Sequence, residues 1–176
     1  RPLLRSPKTN SEWEAVTWLR LSAEQGHLPA QNAVGACYEH GTGVVRDEEE
    51  AVRWSRQAAD AGHTGAMLNL AVCYEYGKGV EAADETAAVG WYRAAADLGH
   101  ADAQNNLGLC YFHGKGVAKD EAQAVTYFRS AADQNHADAQ TNLAGCFKMS
   151  RESAKWYRMA ADQGHAVALT NLGVVS

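Results

Sequence analysis

The feature that most constrains this chain is periodicity. The dipeptide Gly-His stands at Gly26-His27, Gly62-His63, Gly99-His100 and Gly164-His165, with Asn135-His136 filling the gap in the series. Trp18, Trp54, Trp91, Tyr127 and Trp156 keep the same spacings, and so do Arg20, Arg56, Arg93, Arg129 and Arg158. Cys37, Cys73, Cys110 and Cys146 form a fourth series. A period of about three dozen residues is the mark of an array whose units cannot bury their own apolar faces and must stack. The reading is a single repeat array over 1–176. A partial repeat at 1–27 holds a second helix, repeats follow at 28–63, 64–100 and 101–136, a shortened one at 137–165, and a first helix at 166–176.

Each repeat reads as two helices. In AMLNLAVCYEYG and AQNNLGLCYFHG, counted from the leading Ala, apolar side chains fall at offsets 0, 4, 7 and 8, one stripe of a 3.6-residue helix. Offset 5 is small in every copy (Gly35, Ala71, Gly108, Ala144, Gly173). Since Gly costs a helix interior about 1 kcal/mol, its return predicts a neighbouring helix in close approach. The second helix is read in DEEEAVRWSRQAADAG and DEAQAVTYFRSAADQN. Asp47 and Asp120 are N-cap residues, with Glu50 and Gln123 placed for a capping box. Gly62, Gly99 and Asn135 are placed to end the helix in the left-handed conformation. The fold class is therefore all-α.

Between the helices lies G-x-G-V, at Gly41–Val44, Gly77–Val80 and Gly114–Val117. It follows a helix, not a strand, and lacks the third Gly of a dinucleotide fingerprint, so it is a turn whose Val plugs onto the core. The fourth copy lacks seven residues, including this turn, and enters its second helix through a tighter connection capped by Ser150.

These residues resemble the Sel-one-like repeat family, a relative of the tetratricopeptide repeats. Ala103, Leu107, Gly108, Tyr111, Gly114, Gly116 and Val117 match the first part of its pattern. Asp84, Ala88, Trp91, Tyr92, Ala95, Ala96 and Gly99 match the second. The resemblance covers residues 11–176. It implies a right-handed α-solenoid of stacked antiparallel helix pairs that offers a concave surface to proteins, as an adaptor or scaffold without catalysis. Some members of the family carry two cysteines per repeat, which staple the helix pair; with one per repeat, that staple is missing here.

Stacked repeats place equivalent Cα atoms roughly 8–10 Å apart, beyond the reach of a disulfide, about 7 Å, so the cysteines are core thiols. This favours a reducing, cytoplasmic compartment. The register histidines cover helix termini. The arginines pair at i, i+4 with Glu24, Asp60, Asp97, Asp133 and Asp162. No metal site, cofactor or catalytic residue is expected. A formal net charge of -5 disfavours nucleic acid, and no run of about 20 apolar residues is present for membrane insertion. The chain begins at Arg1 and shows no signal-peptide pattern.

The candidate partner-binding residues lie on the first helices. Offset 3 is Asn at Asn69, Asn106, Asn142 and Asn171, at the edge of the core stripe. Two roles stay open for these amides: bonding to a neighbouring repeat's backbone, or holding the backbone of a bound peptide. Offsets 2, 6 and 9 point away from the core: Leu68, Val72 and Glu75, then Asn105, Leu109 and Phe112, then Thr141. Leu68, Val72, Leu109 and Phe112 are more apolar than a solvated face needs, and read either as a binding patch or as packing for an adjoining repeat. The expected partner is a protein or peptide. An alternative is a regulatory repeat segment of a larger enzyme, or an enzyme in its own right. Partner identity, compartment and oligomeric state stay open.

Overall fold

A computed structural model describes residues 10–148 and 150–175. Among them are ten helices and no strand. The second helices are α1 (Asn10–Glu24), α3 (Glu48–Asp60), α5 (Glu85–Asp97), α7 (Glu121–Ala132) and α9 (Arg151–Asp162). The first helices are α2 (Leu28–His40), α4 (Thr64–Tyr76), α6 (Ala101–His113), α8 (Ala137–Cys146) and α10 (Ala166–Val175). None is long and apolar enough to cross a membrane. The chain divides within α5 into two compact units, Arg1–Ala94 and Ala95–Ser176.

In the first unit, α1 packs on α2, α2 on α3 and α3 on α4. Ala23, Ala30, Val34 and Trp54 form one core cluster, with Leu19 and Tyr38 at its edge. Trp18 has the register of Trp54 yet is 72% exposed against 6%, because no first helix precedes α1 among the described residues. In the second unit, α6–α7, α7–α8, α8–α9 and α9–α10 are the packed pairs. Phe128, Leu143, Trp156 and Tyr157 are among the residues of its core. Alanines fill much of both cores, and their small side chains let helix axes approach closely.

The caps follow the residue chemistry. Asp47 accepts from the Glu50 N–H at 3.1 Å, Asp84 from Ala87, Asp120 from Ala122 and Gln123, and Ser150 from Ser153. The return arm of the capping box is replaced at Asp47. Its backbone N–H donates to Tyr38 O at 3.0 Å, and Glu50 turns to Arg53. Asp84 and Asp120 close their turns in the same way, onto Tyr74 O and Tyr111 O. The N-cap residue thus ties the G-x-G-V turn back to the helix it left.

The small residue at offset 5 faces the second helix of its own repeat. A Cβ on Gly35 would lie 3.0 Å from Ser55 Oγ, and one on Gly108 would lie 2.7 Å from the Phe128 ring. On Gly173 it would meet nothing within 4 Å, and no second helix follows α10 among the described residues. In the shortened repeat, α8 stops at Cys146 after 10 residues, where the regular first helices run for 13.

A row of glutamines that the periodic reading passed over joins three of the first helices to the second helix of the repeat before. Gln31, Gln104 and Gln140, at offset 1, are buried. Each donates through Nε2 to a carbonyl at the end of the preceding second helix: Ala23 O at 3.1 Å, Ala96 O at 3.2 Å and Ala132 O at 3.3 Å. Each of these carbonyls also accepts a backbone N–H from three residues on, that of Gly26, Gly99 or Asn135, in the tightened last turn that helix ends adopt. Gln134 and Gln163 in turn donate to Gln104 Oε1 and Gln140 Oε1, at 2.8 and 2.9 Å. The position that would serve Gln31 is Ala61, and Gln31 Oε1 is buried without a partner. Ala61→Gln is therefore expected to raise stability by about 1 kcal/mol, the worth of satisfying one buried acceptor, as a higher denaturant midpoint with an unchanged slope. A neutral or negative effect would show that Oε1 is already satisfied by solvent.

Candidate functional site

The first-helix face is built from offsets 2, 3, 6 and 9, which the core stripe leaves pointing outward. In the first unit this places Asn32, Ala36 and Glu39 of α2 beside Leu68, Asn69, Val72 and Glu75 of α4, all half-buried. Asn69 donates through Nδ2 to Asn32 Oδ1 at 3.0 Å. Glu75 is held by the Tyr92 hydroxyl, which donates to Oε2 at 2.7 Å.

In the second unit the same geometry recurs. Asn142 donates to Asn105 Oδ1 at 2.9 Å. Asn105 is 6% exposed, so this residue spaces α6 from α8 and offers little surface. Asn106, Leu109, Phe112 and Thr141 are half-buried. Leu109 and Phe112 rest on the core cluster; the Phe112 ring lies 6.5 Å from Phe128 and 5.8 Å from Lys119 Nζ. Thr141 Oγ1 donates to Ala137 O and lies 3.1 Å from His165 Nδ1. Asn69 and Asn142 thus clasp the preceding first helix side chain to side chain, not through its backbone. The clasp is possible because offset 2 of that helix is also Asn; its signal was the second Asn series, Asn32 and Asn105.

The register histidines are N-caps of the first helices. His27, His63, His136 and His165 each accept through Nδ1 the N–H of the third residue onward, at 3.1–3.3 Å. In the second unit the other ring nitrogen is also used. His136 Nε2 lies 2.8 Å from Asp102, and His165 Nε2 lies 2.7 Å from Asp138. Acceptance at Nδ1 assigns the proton to Nε2, which then donates to the carboxylate in the first turn of the preceding first helix. His100 makes no cap bond, and its Nδ1 is 3.8 Å from Asp102. Among the described residues, no group of three His, Cys, Asp or Glu is arranged to hold a metal.

The arginine row departs from the i, i+4 expectation. Arg20–Glu24, at 3.6 Å, is such a pair. Arg56 and Arg129 instead reach the next first helix, at the aromatic of offset 8. Arg56 lies 5.6 Å over the Tyr74 ring and donates to its hydroxyl. Arg129 lies 5.6 Å over Phe147 and pairs with Glu152 at 2.8 Å. A guanidinium over a ring gains a cation–π contact without leaving solvent, which an exposed i, i+4 pair cannot match.

All four cysteines are free. Burial pushes the Cys73 thiol up to about 11, helped by the negative charge of Glu39 and opposed by Lys78. Cys37 and Cys146 are raised by the same cause. A thiol held protonated at neutral pH is a poor nucleophile, and these side chains serve in packing.

The Sel1 repeat pattern matches residues 14–27, 28–63, 64–100, 101–136 and 150–165. Among solved structures, a protective antigen of uropathogenic Escherichia coli that displays an SLR fold is 32% identical, with a TM-score of 0.84. The match covers 92% of this chain and 36% of that one. A Sel1 repeat protein from Oxalobacter formigenes is 34% identical, with a TM-score of 0.83 over 91% of this chain and 66% of that one. Cysteine-rich protein B of Helicobacter pylori shares the fold at 23% identity, with a TM-score of 0.60 over 75% of this chain and 96% of that one. The chain thus spans about a third of the length of the first of these structures and about two thirds of the second. No curated protein sequence matches it. The architecture common to these structures and to the ten helices is an all-α solenoid of repeated helix pairs.

Proposed function

The chain belongs to the Sel1 repeat family, whose members are typically protein-interaction scaffolds and generally non-catalytic, and we propose on that premise that it is a non-catalytic adaptor whose first-helix face binds a protein or peptide. The observation that carries the reading is the make-up of that face in each unit. Leu68 and Val72 in the first, and Leu109 and Phe112 in the second, are half-buried apolar side chains. Each set is flanked by an amide pair that is already fixed, Asn32–Asn69 or Asn105–Asn142. An apolar side chain ordered by its neighbours loses little entropy when a partner covers it. Fixed amides also keep acceptor and donor capacity for a partner's backbone. Asn106, Glu75 and Thr141 complete the proposed contacts.

The test is site-specific photocrosslinking in an extract of the source cell. A benzophenone amino acid at Val72 is expected to give a discrete protein adduct. The same group at Gln57, exposed on the second helix α3, is expected to give none. Equal labelling from both positions, or from neither, would overturn the assignment of this face.

A further inference from the structure

The shortened repeat carries a charge pattern that the regular repeats lack. Three of the second helices open on Glu behind an Asp cap, at Asp47-Glu48, Asp84-Glu85 and Asp120-Glu121. Helix α9 opens on Arg151 behind the neutral cap Ser150. A cation in the first turn opposes the helix dipole, so local helix stability does not account for it. Lys155 and Arg158 follow Arg151 on the same face. Among the described helices, α9 is the one in which basic residues outnumber acidic ones. Arg151, Lys155 and Arg158, with Ala154, Met159 and Asp162, line one shallow open groove along the helix. The three cations are exposed, and Ala154 and Met159 are half-buried. Among the described residues, none of the three has a carboxylate within ion-pair distance. Glu152 is committed to Arg129 on α7. Arg158 has neither kind of partner found along its row. It makes no pair with Asp162, and at offset 8 of the next first helix, where Arg56 and Arg129 find a ring, the sequence has Ser176. Lys155 Nζ lies 5.5 Å over the buried Trp156 ring.

We infer that this groove is a docking site for an acidic peptide segment of a partner protein, with Glu carboxylates set against Arg151, Lys155 and Arg158 and their methylene stems over Ala154 and Met159. The site lies on a second helix and stands independently of the first-helix face. Charge complementarity names the occupant. In a chain of formal net charge -5, three unpaired cations at i, i+4 and i+7 make a local field of the opposite sign over about 10 Å of helix. Carboxylates on alternate residues of an extended segment, about 7 Å apart, suit that spacing. Two of the cations are Arg, each able to take a carboxylate in a bidentate way. Met159 is an apolar floor that adapts to what is laid on it. Asp162, one turn beyond Arg158, repels a further carboxylate and so marks where the acidic stretch ends. A patch this short, closed by an acid, does not follow a nucleic-acid backbone.

The experiment is a fluorescence-anisotropy titration of the whole chain at low salt. The probes are a labelled peptide holding Glu-Ser-Glu-Ser-Glu between Gly-Ser flanks and its counterpart with Gln for Glu. Wild type is compared with Arg151→Gln/Lys155→Gln/Arg158→Gln and with Arg20→Gln/Arg46→Gln/Arg53→Gln, which changes the net charge equally but in the first unit. Wild type is expected to bind the Glu peptide about tenfold more tightly than the Gln peptide. The α9 variant should lose about tenfold, roughly what three exposed pairs supply together, and the first-unit variant less than about twofold. These gaps close in 0.5 M salt as the Debye length shrinks. Arg151→Glu restores the residue type that opens α3, α5 and α7, so it is expected to melt higher than wild type yet bind the Glu peptide more weakly; this variant also decides the matter should the triple substitution fail to fold. The inference is overturned if the two peptides bind alike, if the two triple variants lose alike, or if Arg151→Glu melts lower, which would make Arg151 a structural residue. It is overturned as well if a single-stranded oligonucleotide or phosphatidylserine vesicles bind through the same three residues more tightly than the Glu peptide does.

Discussion

Gly79→Ala is expected to lower stability by about 3 kcal/mol, with a fall in Tm on the order of 10 °C. Two costs combine at this residue. Its φ is +64°, a region where a non-glycine residue costs about 1–3 kcal/mol. A Cβ there would also lie 2.0 Å from Glu48 O and 2.9 Å from Val52 Cγ2, and overpacking of this kind adds about 1–3 kcal/mol. The clash is with backbone in the first turn of α3, which cannot rotate aside like a side chain. Gly43 meets Glu12 O and Val16 Cγ2 in the same manner, so the second glycine of G-x-G-V locks one repeat onto the second helix of the repeat before it. Gly90→Ala is the control. It lies in α5, exposed, with nothing within 4 Å of its Cβ position, and is expected to gain about 0.5–1 kcal/mol. Thermal melts of the two variants check both signs. A loss below about 1 kcal/mol at Gly79 would mean the turn can slide off α3.

Phe128→Ala is expected to cost about 3–5 kcal/mol, the range for emptying a fully buried aromatic site. Phe128 is 1% exposed and packs where Gly108 leaves room for its ring. Leu143 and Ala144 in the same core have no exposed surface and little scope to collapse into the space. Phe112→Ala, one ring outward, is expected to cost about 1–2 kcal/mol, since the side chain is half-buried and part of its surface already meets solvent in the native state. Urea titrations of both variants separate core from face. Equal losses would place Phe112 in the core and remove it from the proposed binding surface.

Much of the architecture was legible in one sequence because the helix ends carry their own chemistry. Asp47, Asp120 and Ser150 announce helix starts. Gly62, Gly99 and Asn135 announce ends, and all three have positive φ. The small residue at offset 5 reported a close helix before any neighbour was visible. The candidate face was legible as a set of offsets but not as a set of roles. Asn105 and Leu109 differ by one turn of the same helix, yet one is buried in an amide pair and the other is half-open. The glutamine row was missed because Gln31, Gln104 and Gln140 read as polar residues in a helix, which are ordinarily solvated.

Period, helix order, caps and the placement of glycine follow from the sequence by itself, because each depends on backbone conformation within a few residues. The destination of the longer polar side chains was decided by tertiary structure alone. Arg56 had Asp60 one turn away and turned to Tyr74; Gln140 reached back to Ala132. Such choices depend on how far apart two helices pack and how each is rotated about its axis, quantities that arise when the helices pack together and that no local pattern encodes.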